Sequence, residues 1–184
     1  MIAFLLALAL AHESGVSSSR LEIRGGEVRA TFTFSLEDLG ALARLDADRN
    51  GLIEPAEWTA VLPAIGAYVG DHFRIEGCRS EGDPGLIPET VRSSDLRTPI
   101  TLALRYVPAR PLARLKIRCD LFREHGGNPR HIAEFPGGET VIFDNDRRDA
   151  ERPVTPEECR WWWIPAAALL PAAAIIALRI GGLT

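Results

Sequence analysis

At Ser35 the apolar residues of this chain change period, and that change constrains the fold more than any other feature. Before it, Val28, Ala30, Phe32 and Phe34 alternate with Glu27, Arg29, Thr31 and Thr33, which gives an extended segment one apolar face. Leu21 and Ile23 alternate in the same way, and Gly25-Gly26 between the two runs suits a two-residue hairpin turn. After it, Leu36, Leu39, Leu42 and Leu45 recur at helical spacing, and Ser35-Leu-Glu-Asp38 supplies an N-cap with an acidic residue three positions on. A hairpin that runs directly into a helix excludes both an all-helical and an all-β chain.

A second helical pattern follows in Trp58, Val61, Leu62, Ile65, Val69 and Phe73, interrupted by Pro63. Strand patterns then resume at Ile100 to Tyr106, Leu115 to Leu121, Ile132 to Phe135 and Val141 to Phe143, with a further short strand near Phe73 to Glu76. Residues 77–98 mix Gly, Pro, Ser and charges and read as a loop. The expected class is α+β: about seven short strands in an antiparallel sheet or sandwich, interrupted by one helix–loop–helix.

Between the two helical patterns lies Asp46-Ala-Asp-Arg-Asn-Gly-Leu-Ile-Glu-Pro-Ala-Glu57. A hard cation such as calcium takes six to eight oxygen ligands, and a twelve-residue loop delivers them from positions 1, 3, 5, 7, 9 and 12, with glycine at 6 for the sharp turn. Asp46, Asp48 and Asn50 offer side-chain oxygens, Leu52 its backbone carbonyl, Glu54 an oxygen directly or through water, and Glu57 a bidentate carboxylate. Gly51 stands at the turn, Ile53 is the apolar eighth residue, and Pro55 fits the first turn of the outgoing helix. No second loop completes the pattern: after Asp144 and Asp146, Arg148 falls at the fifth position, Asp149 at the sixth and Thr155 at the twelfth. A lone site of this kind predicts a structural calcium ion and not a sensor.

The two ends carry different signals. Residues 1–11 hold an apolar run closed by Ala9-Leu10-Ala11, which reads as a signal peptide cleaved after Ala11, although no basic residue precedes the run. Residues 161–178 contain no charge, open with Trp161, Trp162 and Trp163, and are followed by Arg179. That length and indole border suit a single transmembrane anchor over 161–179; the alternatives are a tail packed on the protein or a sorting tail removed after export. The expected order is signal peptide 1–11, a domain on the extracytoplasmic (periplasmic) side at 12–144, a linker at 145–160 and the anchor in the cell membrane. A formal charge of −4, with Lys116 the only lysine and the arginines scattered, excludes a basic stripe for nucleic acid.

Three cysteines in an exported chain imply one bridge and one free thiol. Cys78 and Cys119, both at strand edges, are the favoured pair, with other pairings open. Among the four histidines, His12 would become the new N-terminus and His125 and His131 flank a Gly-Gly-Asn-Pro turn, a set that could hold nickel or copper, but ordinary hydrogen-bonded histidines are the expected reading. No phosphate-binding glycine loop occurs, and Ser17-Ser18-Ser19 with the isolated histidines forms no recognisable triad pattern, so no enzyme is expected.

The loop and its flanking helices, roughly residues 36–70, resemble the EF-hand family, which implies Ca2+ as the ion. The wider run of His12-Glu13-Ser14, Arg20-Leu-Glu-Ile-Arg24, the loop, Cys119-Asp-Leu-Phe122 and Asn128-Pro-Arg-His131 is similar to the extracytoplasmic N-terminal region of bacterial membrane proteins of the hydrogenase/urease accessory (HupE/UreJ) type. That resemblance covers about residues 12–144 and implies a membrane-protein partner and, as the alternative function, an accessory role toward nickel or copper.

Overall fold

The structure is a computed structural model that describes residues 15–82, 88–155 and 158. The expected signal peptide, anchor, His12 and Cys159 lie outside the described residues. Among those described, no helix is long and apolar enough to cross a membrane.

Among the described residues the fold is α+β and dominated by sheet, with two α-helices. The chain opens with β1 (Val16–Arg24) and β2 (Glu27–Ser35), an antiparallel hairpin in which Arg24 faces Glu27. Gly25 and Gly26 turn it with φ of 58° and 83°, values that a side chain resists. Ser35 then caps α1 (Leu36–Leu42): its hydroxyl accepts the Asp38 N–H at 3.1 Å, and the Asp38 carboxylate accepts the Ser35 N–H at 3.3 Å. The loop 46–57 contains the two-residue β3 (Leu52–Ile53) and leads into α2 (Pro55–His72), which runs through Pro63 as one element.

The remaining strands are β4 (Phe73–Ile75), β5 (Cys78–Gly82), β6 (Val91–Arg92), β7 (Pro99–Pro108), β8 (Arg114–Cys119), β9 (Arg130–Glu134), β10 (Thr140–Phe143) and β11 (Asp149–Pro153). They form a six-stranded sheet in the order β10-β9-β1-β2-β7-β5, a three-stranded sheet β11-β8-β4, and the pair β3-β6. One core serves both larger sheets. Phe32, Phe34, Leu104 and Tyr106 from the first sheet and Phe73, Leu115 and Ile117 from the second belong to it, together with Leu39, Trp58, Ile65 and Val69 from the helices. Phe73 stands edge-on to Phe32, and the Tyr106 hydroxyl donates to the Phe73 carbonyl at 2.8 Å, which ties the two sheets together.

Four expectations are corrected. The large sheet is mixed, because β1 pairs in parallel with β9, Val16 opposite Arg130. The expected loop 77–98 contains β5 and β6, and the expected linker 145–160 contains β11, which pairs with β8 from Arg118 to Arg114. β11 escapes the apolar pattern because only Ala150 among its residues is buried. The bridge between Cys78 and Cys119 is not formed: both are free thiols. They sit in different sheets, Cys78 opposite Pro108 on β7 and Cys119 opposite Phe73 on β4. Burial raises the Cys78 thiol to about 11 and the Cys119 thiol to about 12, so both stay protonated and poorly nucleophilic.

Candidate metal centre

The short helix α1 ends where Ala43 turns extended, Leu45 drops into the core, and the backbone then winds through residues 46–57. Two positive φ angles shape the winding, 63° at Arg49 and 86° at Gly51. Side-chain oxygens accept most of the loop's amide hydrogens. Asp46 Oδ2 accepts Gly51 N–H at 3.1 Å, Asp48 Oδ1 accepts Asn50 N–H at 3.0 Å, and Asn50 Oδ1 accepts Leu52 N–H at 2.8 Å. Glu57, the third residue of α2, closes the ring: Oε1 accepts Ala47 N–H at 2.7 Å and Oε2 accepts Glu54 N–H at 3.1 Å. Trp58, the next residue, is fully buried and holds that end of the loop against the core.

This wiring turns three carboxylates toward one another. Oxygens of Asp46, Asp48 and Glu57 lie within 4.8 Å of one another, the one such set of three His, Cys, Asp or Glu ligand atoms among the described residues. Asp46 Oδ1 is buried and has no hydrogen-bond partner. A buried carboxylate oxygen without a donor costs free energy, and a cation is what would offset it. Of the six residues expected to bind, Asn50 and Leu52 are adjacent in this ring, whereas Glu54 is exposed at the start of α2 and stands outside the carboxylate set.

Burial works to raise the Asp46 pKa, but it is outweighed by the Ser93 side chain and by the backbone amides of Gly51, Arg49 and Asn50, and the carboxyl is held below its ordinary value. Ser93 is a residue that the sequence did not mark. It comes from the segment after β6, in a polar Arg-Ser-Ser-Asp run with nothing to connect it to a loop 40 residues earlier.

The histidines are distributed differently from a metal set. His131 is 3% exposed; Nδ1 meets Ser17 Oγ and Nε2 meets Ser19 Oγ, each at 2.8 Å, so both ring nitrogens are engaged. Phe32, Phe73 and Phe143 surround the ring, and burial lowers its pKa to about 3. A serine and a histidine do meet here, yet the second ring nitrogen faces another serine where a triad has a carboxylate. His72 Nδ1 pairs with Asp120 Oδ1 at 3.1 Å, and His125 lies beside Glu124 at 3.6 Å. A nickel or copper role would therefore have to draw on His125 and on His12, without His131.

Compared with protein-family models, the chain matches none, and no curated protein matches it significantly.

Proposed function

We propose that residues 46–57 form an EF-hand calcium site whose role is structural, in a domain exported and anchored outside the cytoplasm. The observation that carries this reading is the buried, unpartnered Oδ1 of Asp46 within a ring of three carboxylates. The donors are all oxygen, which favours a hard cation over zinc, copper or nickel. The apolar residues of both helices support a structural role: Leu39, Trp58 and Ile65 pack into the one core shared with both larger sheets, so exposing a hydrophobic groove there would open the core itself. A sensor hand opens such a groove on binding calcium. Extracellular sites bind with a Kd on the order of 10⁻⁴–10⁻³ M. At ten times Kd, the ion would stabilise the fold by about 1.4 kcal/mol. The N-terminal run and the Trp-bordered tail of the sequence support the location.

Titration calorimetry on the solubilised full chain tests the reading. One calcium ion binds per chain, the melting temperature rises, and a hydrophobic dye gains little fluorescence. Glu57→Gln weakens binding at least tenfold, because one oxygen of the bidentate ligand becomes an amide. Absence of binding at millimolar calcium would overturn the proposal, and a large calcium-dependent rise in dye fluorescence would move the role from structural to sensing.

A further inference from the structure

The loop has a partner that the sequence pattern does not announce. β3 pairs antiparallel with β6, Leu52 opposite Arg92 and Ile53 opposite Val91. The pairing extends one step further, because Ser93 N–H donates to the Gly51 carbonyl at 3.0 Å. The same segment is fastened to the outgoing helix, where Trp58 Nε1 donates to the Glu89 carbonyl at 3.3 Å. Residues 46–57 are thus gripped from outside at the sixth, seventh and eighth positions, and again at Trp58 just after the loop.

This grip bears on the one main-chain ligand. Successive carbonyls of an extended segment point to opposite sides. Gly51 presents its carbonyl to β6, so Leu52 presents its own N–H and carbonyl to the other side, into the loop. The Leu52 N–H confirms that direction by donating to Asn50 Oδ1 at 2.8 Å. Without β6, only the loop's own side chains, such as Asn50 accepting the Leu52 N–H, would hold these peptide planes.

We infer that residues 91–93 complete the single loop within the chain, aiming the Leu52 carbonyl at the ion. Ser93 is the positioning residue, through its backbone N–H to Gly51 and a side chain that lines the same surface depression as Asp46. The inference rests on the calcium reading of the loop and adds what completes the site.

Two substitutions and one measurement on the unaltered protein test it. Ser93→Pro deletes the N–H that Gly51 accepts and is expected to weaken calcium binding tenfold or more. Ser93→Ala deletes only the hydroxyl and is expected to weaken it about threefold, with Ser93→Thr restoring it. In the unaltered chain, calcium is expected to slow hydrogen exchange at the Ser93 amide at least tenfold, a readout that survives if Ser93→Pro does not fold. An unaltered chain that takes up no calcium ends both the calcium reading and this inference. An unaltered chain that binds one calcium, with affinity unmoved by Ser93→Pro or with Ser93 exchange unmoved by calcium, overturns the inference and leaves the calcium reading standing.

Discussion

His131 is buried in the core and Asp46 half-buried in the loop, but His131 has a partner on each ring nitrogen whereas one solvent-shielded oxygen of Asp46 has none. Around His131 the chain supplies everything the group needs: two serine hydroxyls from β1 and a shell of aromatic rings. Around Asp46 it supplies a donor to Oδ2 but none to Oδ1, and it brings a second and a third carboxylate close by. A buried polar group that is satisfied is part of the scaffold, and one left unsatisfied beside like charges points to something the chain does not itself contain.

The largest effect should come from acid. The His131 pKa falls from an ordinary 6.5 to about 3 on folding, so protonation favours the unfolded chain. Its neutral form is fully compatible with the fold above pH 6.5, and stability is lost as the pH falls from there toward 3, at about 1.4 kcal/mol per pH unit from this one group. Urea unfolding at pH 7 and pH 5 measures the slope, and His131→Gln should flatten it. An unchanged slope in that variant would mean that the serine-bound ring is not a neutral scaffold group, and the contrast with Asp46 would fail.

A smaller effect of opposite sign is expected at the loop. Asp48→Asn removes one of three neighbouring negative charges while keeping an acceptor for the Asn50 N–H. In chelator the melting temperature should rise by about 1–2 °C, since the variant relieves repulsion at an exposed site. In calcium it should fall below that of the unaltered protein, because a ligand has lost its charge. A variant that shifts in the same direction under both conditions would show that the carboxylates do not share an ion. The smallest effect is at Arg49, held at a φ of 63° on the surface. Arg49→Asn should gain about 0.5 kcal/mol, as asparagine tolerates the left-handed region better. Denaturation in calcium checks it.

The hairpin, the capped helix and the loop were legible because each is local: Gly25-Gly26, Ser35 with Asp38, and twelve consecutive residues carry their own geometry. What could not be read depends on distant partners. His131 sits opposite Ser17 across 114 residues, and the parallel pairing of β1 with β9 leaves no period-two mark that differs from an antiparallel one. β6 is two residues long, with Val91 half-buried and Arg92 exposed, so its pattern is too short to register. Cys78 and Cys119 look pairable as strand-edge residues, but only the sheets decide where the two thiols lie. Within the loop, the residue types mark Asp46, Asp48 and Glu57, which the structure brings together, whereas the support from Ser93 needed the fold.

The place of β1 in the sheet sets an order of events during synthesis. It lies between β2 and β9, and residues 130–134 emerge more than a hundred residues after it. The hairpin can close early, and β7 can then add to β2. The other edge of β1, carrying Ser17 and Ser19, stays open until β9 arrives with His131. Late, non-local closure slows folding, and an unpaired edge invites pairing with other chains. A chain halted before residue 130 would therefore expose that edge for as long as it persists, and its solubility should fall well below that of a chain carried through β10.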